Sequence, residues 1–298
     1  GGKIMLFYLA PMEGITGYIV RNAYAHYFPY IDKYFTPFIP AAKKMSKKIK
    51  RDLAAENNGQ IRLVPQLIGN RADEFLMMIR QLEELGFTSV NLNFGCPSGT
   101  VVSKRKGAGF LADPKELEML LEEVVENSPL AVSVKTRVGI KDPDEWEALC
   151  GVYAKFPLEE LIIHPRLQKD YYSGTPRMET FARALEQIHV PLCYNGDICS
   201  VEDYKKVTAA FPAIDRIMIG RGLLENPGLV GEIKGNPPAD KARLRAFHDE
   251  ILEGSGYFPC GKRCRFSFER NLVLSDKVIS GQREIFKADP EMPVSAGV

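Results

Sequence analysis

At 298 residues, with 45% hydrophobic and 26% charged side chains, the chain carries enough apolar mass for one large core or two smaller ones. The apolar opening from Ile4 to Ala10 is too short to cross a bilayer and runs straight into Pro11 and Glu13, which argues against a signal peptide or membrane anchor and for a cytoplasmic protein. Six cysteines (Cys96, Cys150, Cys193, Cys199, Cys260, Cys264) lack CxxC spacing, which argues against a disulfide framework and a zinc site; no metal is expected. The formal charge of +1 hides an uneven distribution, because "KKMSKKIKR" at 43 to 51 holds six cations and no acid.

Eight apolar or β-branched runs follow one another: "IMLFYLAPM", "YIDKYFTPFIP", "RLVPQLIG", "SVNLNFGCP", "LAVSVKTRVG", "ELIIHPR", "VPLCYNGDI" and "RIMIGRG". Helical periodicity lies between them. After Asn70, the residues Phe75, Met78, Ile79, Leu82 and Leu85 share one face, and Gly86 closes the segment. Asp113-Pro114 with Glu116 supplies a cap, a first-turn proline and a capping-box acid ahead of Leu117, Leu120, Leu121, Val124 and Val125. Asp142-Pro143 with Glu145 predicts a second start of this kind.

Eight strands alternating with helices predict a (β/α)8 TIM barrel, with a doubly wound sheet as the competing arrangement. Nearly every run ends in polar residues: Gln66, Asn93, Lys135 with Arg137, His164 with Arg166, Asn195 with Asp197, and Arg221. Groups converging from so many strand ends favour a closed barrel, whose strands ring one mouth. The composition changes near Asn236. The expected division is a barrel over 1–235 and a small extension over 236–298, at least partly helical, because "KARLRAFHDEILEG" reads as one amphipathic helix with Leu244, Phe247 and Ile251 inward. No helical period is found after Gly256.

The segments "LAPMEGIT" (9–16), "NLNFGCP" (91–97), "KGAG" (106–109), "SVKTRVG" (133–139), "NGDI" (195–198) and "IGRG" (219–222) together resemble the motif series of the tRNA-dihydrouridine synthases, in family order. The resemblance implies an FMN enzyme that reduces the C5=C6 bond of uridines in tRNA, with NADPH recharging the flavin. It further implies that the FMN phosphate lies at Asn195-Gly196-Asp197 and Gly220-Arg221, that Gln66 bonds the flavin ring, and that Ala10, Pro11 and Met12 supply backbone contacts beneath it. His164 falls where the family places a flavin ligand, although "HPR" replaces the expected His-Gly-Arg and Pro165 removes a backbone donor.

The residues also have readings of their own. Glycines at the ends of the last two runs let backbone N–H groups approach a phosphate, and Arg221 adds a cation. Each glycine pair alone is equally well a tight turn. Lys135 ends an alternating strand, where a cation can stabilise negative charge on a reduced flavin; most lysines are merely solvated. Adding hydrogen across an activated C=C takes a hydride on one carbon and a proton on its neighbour. Cys96, on a strand-end loop between Gly95 and Pro97 and beside Asn93, is the candidate acid, since a thiol of ordinary pKa, about 8.5, is protonated at neutral pH. Cys150 and Cys193 read as small buried hydrophobes.

The loop from Ser103 to Gly109 is expected to be mobile, with Lys104, Arg105 and Lys106 near the RNA backbone. The substrate set is therefore Asn93, Arg137, Arg166, Lys104 and Lys106. A stacked uridine cannot enter a barrel mouth, so the base must be extracted, at about a few kcal/mol. Phosphate contacts would come from "KKMSKKIKR", expected on the helix after the second run, and from "GKRCRFSFER", with Lys262, Arg263, Arg265, Arg270, Phe266 and Phe268. Either charge run is otherwise a solvated face. A monomer is expected. The alternative is an FMN barrel that reduces a small pyrimidine or another activated alkene, as in dihydroorotate dehydrogenase-like enzymes; the basic patches argue against it. A barrel that binds RNA without turnover is disfavoured by Cys96, Asn93 and Lys135.

Overall fold

The computed structural model describes residues 4–59 and 61–255. Its strands are β1 (Leu6–Leu9), β2 (Lys33–Phe35), β3 (Ile39–Pro40), β4 (Leu63–Val64), β5 (Gln66–Ile68), β6 (Ser89–Phe94), β7 (Ala131–Arg137), β8 (Leu161–His164), β9 (Leu192–Tyr194) and β10 (Arg216–Ile219). All pair in parallel, in the order β3-β5-β6-β7-β8-β9-β10-β1-β2-β4.

The ends of that order meet through the chain itself. Only Pro65 separates β4 from β5, and residues 36–38 separate β2 from β3. A proline cannot donate to the ladder, so the pairing is interrupted there. Gln66 N–H instead bonds Thr36 Oγ1 at 2.9 Å, while the Pro65 carbonyl still accepts from Asn91 N–H at 2.9 Å. The ten strands are therefore eight staves of a closed barrel, one for each apolar run.

The helices follow the expected period where burial drives it. Ala72–Glu84 buries Phe75, Met78, Ile79 and Leu82, each contributing about 1.5–3 kcal/mol relative to exposure. Leu85 is not part of that face: it is the C-cap residue and half exposed. Pro114–Asn127 starts as predicted, with Asp113 Oδ1 accepting from Lys115 and Glu116 N–H, both at 3.1 Å. The Asp142-Pro143 start also behaves as expected, ahead of the helix Glu145–Tyr153: Asp142 Oδ1 accepts from Asp144 N–H at 3.0 Å, and the Glu145 carboxylate reaches back to Asp142 N–H at 3.0 Å and further to the N–H groups of Ile140 and Lys141.

Lys241–Gly254 is a helix capped by Asp240, with Phe247 and Ile251 buried and Leu244 partly so. Phe247 meets Tyr24 and Phe28 edge-on, at ring separations of 4.9 and 5.3 Å, which fixes this helix on Tyr18–Tyr27.

Strand alternation sorts the staves into two sets. Phe7, Leu9, Val90, Leu92, Phe94, Val132, Val134, Leu161 and Ile163 belong to the large core between staves and helices. The opposite parity lines the barrel. Tyr8, Ala10, Phe35, Val64, Ile162, Cys193 and Met218 make a small separate interior cluster. Toward the amino ends of the strands this interior is plugged by a buried carboxylate. Glu160 accepts from Lys33 Nζ at 2.7 Å, Tyr8 hydroxyl at 2.8 Å and Arg216 at 3.2 Å, and Lys33 also lies 4.9 Å from the Tyr8 ring centre. Toward the carboxyl ends the same parity carries Gln66, Asn91, Asn93, Ser133, Lys135, His164 and Asn195. Among the described residues no helix is long and apolar enough to cross a membrane.

Candidate active site

A ladder of amides forms the first wall of the mouth. Asn91 Nδ2 donates to Ser133 Oγ at 2.9 Å, Gln66 Nε2 to Asn91 Oδ1 at 2.8 Å, and Asn93 Nδ2 to Gln66 Oε1 at 2.7 Å. All four side chains are buried, and each amide's orientation is fixed by the next. Asn93 Oδ1, at the top, accepts from the N–H groups of Gly95 and Cys96. The strand end therefore holds the turn that presents the Cys96 thiol. Gly107 closes over it with φ +55°, and a side-chain carbon there would lie 2.6 Å from the Cys96 carbonyl. This explains the first glycine of "KGAG". The Cys96 thiol is partly exposed. Burial pushes its pKa up, against the opposing pull of the Ser98 N–H, Lys135 and Arg137, so the thiol is protonated at neutral pH.

Lys135, on β7, is the register partner of Asn93 on β6. It makes no hydrogen bond or ion pair among the described residues, and burial, with help from Arg137, lowers its pKa to about 8. An ammonium held in this way, without a counter-charge, fits an anionic ligand.

The third wall is cationic. Arg166, fully buried, grips Asp197 with two nitrogens, at 2.8 and 2.6 Å, and Arg221 bonds the same carboxylate. Burial alone would raise the Asp197 pKa, but these guanidinium bonds outweigh it and hold it low. Two arginines against one aspartate leave one positive charge at the corner. Arg166 also donates to His164 Nε2 at 3.2 Å; since a guanidinium can only donate, the imidazole is neutral, with its proton on Nδ1. Burial and four surrounding cations depress its pKa in the same direction. Arg137 spends its donors on the carbonyls of Gly95, Leu167 and Tyr171, at 2.8, 2.8 and 2.6 Å, joining the Cys96 loop to the loop after β8.

Most of the residues expected at the site converge on it. Ala10 N–H bonds the Ile219 carbonyl at 2.9 Å, and Met12 is tied to Thr16 through its N–H at 2.9 Å. Asn195 donates to the Met218 carbonyl at 3.0 Å. Gly196 packs on Tyr194, whose hydroxyl would lie 2.2 Å from an added Cβ, and Gly220 precedes the short helix Arg221–Glu225. The guanidinia of Arg137 and Arg166 are committed to protein carbonyls and Asp197, not turned into the mouth.

The segment expected as a mobile loop is divided. Gly107–Ala112 is a buried 3-10 helix through Leu111, whereas Lys104 and Arg105 are exposed and Lys106 half-buried. The basic run lies partly on the helix Lys47–Leu53 and partly on the turn before it. "GKRCRFSFER" lies outside the described residues.

Three residues of the site were not anticipated. Asn91 and Ser133 sit two residues before Asn93 and Lys135, so the alternation of their strands marks them. Tyr172 is half exposed in the β8 loop, with the Arg137 and Arg221 guanidinia 5.5 and 5.4 Å from its ring centre and His164 tilted against it. No periodic signal marks Tyr172, because loop residues have none.

A family model described as "Dihydrouridine synthase (Dus)" matches residues 8–251. The chain is 29% identical over 252 residues to tRNA-dihydrouridine(16) synthase of Pseudomonas putida, covering 81% of this chain and 77% of that one. It is 30% identical over 236 residues to the Pseudomonas syringae pv. tomato protein of the same name, covering 76% and 73%. It is 30% identical over 225 residues to tRNA-dihydrouridine synthase B of Pasteurella multocida, covering 74% and 67%. Among solved structures, morphinone reductase in complex with tetrahydroNAD superposes with a TM-score of 0.55 at 11% identity, covering 80% of this chain and 89% of that one, a likeness of fold alone. With a matching domain over most of its length and relatives of this closeness, the chain belongs to the dihydrouridine synthase family.

Proposed function

We propose that the protein reduces the C5=C6 bond of a uridine in tRNA to 5,6-dihydrouridine, with FMN as its cofactor and NADPH as the reductant, working as a monomer. The observation that carries this reading is a protonated thiol, Cys96, fixed by Asn93 over the same mouth in which Lys135 lacks a counter-charge. When bound, FMN supplies the hydride. Gln66, Lys135 and the backbone of Ala10, Pro11 and Met12 hold its ring. Neutral His164, Asn195, Gly196, Gly220 and Arg221 hold its side chain and phosphate, with Asp197 placing the Arg221 cation.

Cys96 gives its proton to the carbon beside the one that receives hydride. The thiolate left behind is stabilised by the Ser98 N–H and by Lys135 and Arg137, the groups that already pull the Cys96 pKa down. Asn93 orients the polar edge of the base. Arg137 and Arg166 act on the substrate through the loops they fix, while Lys104 and Lys106 face the RNA. Residues 236–298 form the extension that helps grip tRNA.

The test is an absorbance spectrum of the purified protein, followed by anaerobic addition of unmodified tRNA to the NADPH-reduced enzyme. Flavin that reoxidises on adding tRNA, with dihydrouridine formed, supports the proposal. Flavin that reoxidises only with free pyrimidines or activated alkenes would move the substrate to the small-molecule class. A protein that takes up no FMN would overturn the cofactor.

A further inference from the structure

A strip of positive charge borders one side of the mouth. Lys43, Lys44, Lys47 and Lys50 are exposed and form no ion pair among the described residues, as do Lys48 and Arg51 beside them. Of the neighbouring carboxylates, Asp52 is turned inward to Arg21, and Glu13 faces Lys48. The apolar residues of this segment point the other way, with Met45 and Leu53 buried and Ile49 half-buried. The strip thus has charge but nothing to insert into a bilayer, which separates it from a membrane-binding helix.

Its position is fixed relative to the chemistry. Met12 is bonded to Thr16, whose carbonyl accepts from Arg21 Nη1 at 2.8 Å; Arg21, fully buried, pairs with Asp52 at 3.1 Å and bonds Asn58 at 2.8 Å. Asp52 Oδ1 also accepts from Tyr18 N–H at 2.8 Å, which completes a bolted connection from the mouth to the helix Lys47–Leu53. On the other flank, Ala41 N–H bonds the Ile68 carbonyl at 2.8 Å, Gln81 bonds the Lys43 carbonyl at 3.2 Å, and Asn70 bonds the Lys104 carbonyl at 3.1 Å. The strip therefore lies between β3 and β4, with its start held beside the end of β5 and the helix that follows, and the end of β5 is in turn tied to the loop after β6.

We propose that this arc is the track on which the sugar-phosphate backbone flanking the target nucleotide lies, and that the Met12–Thr16–Arg21–Asp52 connection sets the register between backbone and mouth. The inference rests on the tRNA reading of the site. Unpaired lysines on a rigid element suit phosphates, because each contact releases condensed counterions and carries no base preference.

The test uses the full-length, flavin-loaded protein with Lys43, Lys44, Lys47 and Lys50 together changed to Gln. Binding of unmodified tRNA is measured against salt, with flavin content and the urea midpoint as controls of folding. Each phosphate contact contributes about 0.7–0.9 to the slope of log affinity against log salt, so losing three or four contacts should flatten that slope by about 2–4. The corresponding Lys→Arg variant should keep the wild-type slope. Unchanged affinity and slope in the glutamine variant, while the wild type converts uridine, would overturn the arc and leave the function standing. Equal loss in the arginine variant would also overturn it, as would glutamine substitutions that abolish binding to anionic phospholipid vesicles but not to tRNA. A wild type that binds tRNA through the arc yet reduces no uridine would instead remove the proposed function and keep the arc.

Discussion

The two ends of the barrel interior treat charge in opposite ways. At the amino ends of the staves, Glu160 is fully buried and saturated by Lys33, Tyr8 and Arg216. At the carboxyl ends, Lys135 has a depressed pKa and no partner. A buried charge that completes its own set contributes to holding the fold, and one left incomplete awaits a ligand. Substitutions at the two ends should therefore move different observables.

The largest effect is expected for Cys96→Ala. Loss of a positioned acid should slow uridine reduction by about 10²–10⁴-fold, with flavin content and the urea midpoint unchanged; wild-type turnover of unmodified tRNA in this variant would remove the acid role. Glu160→Gln should do the reverse. Taking one partner from the buried set leaves Lys33 with only the more distant Glu159 carboxylate, at 3.7 Å, as its counter-charge, at a cost of up to about 3–5 kcal/mol in urea unfolding, while the folded fraction keeps its flavin.

Lys135→Met sharpens the contrast, because removing an unpaired, desolvated ammonium should leave the flavin-free protein as stable or more so, while flavin reduction fails. The sign of the pH dependence follows. The folded pKa of about 8 lies below the ordinary lysine value of 10.5, so the unfolded chain binds more protons between the two. The penalty is full below pH 8 and is relieved as pH rises toward 10.5. The stability of the flavin-free wild type should therefore gain on that of Lys135→Met across this window, and parallel profiles would show that Lys135 is not desolvated. The smallest effect, about 1 kcal/mol in urea unfolding, is expected for Asp113→Ala, which removes a helix cap whose carboxylate bonds only the backbone of Lys115 and Glu116.

The same contrast accounts for what was legible in the sequence. The eight staves could be read because each is a short apolar run, and the mouth residues because they interrupt those runs where strands end. Asn91 and Ser133 follow the same alternation but lie inside their strands, where a polar residue reads as a flaw in an apolar run. The plug could not be read at all: Glu160 meets Lys33 and Tyr8 across 127 and 152 residues of chain, and nothing local to "LEELIIH" distinguishes its buried glutamate from an exposed one. Tyr172 was hidden for another reason, since its place is set by Arg137 and Arg221 from two other staves. The helix start at Asp142-Pro143 was legible because capping is local: Glu145 reaches back to Asp142 N–H and Asp142 accepts from Asp144 N–H, all within four residues.

The plug beneath the interior makes the barrel a cup with one opening. On the proposed reaction, the partly exposed Cys96 thiol at the carboxyl ends would regain its proton from the mouth and not through the packed floor. A base held in that mouth would delay the recharging until the product departs, through the doorway by which the RNA leaves. The closed floor would thus impose an order on the catalytic cycle, with exchange of solvent hydrogen at the thiol following product release.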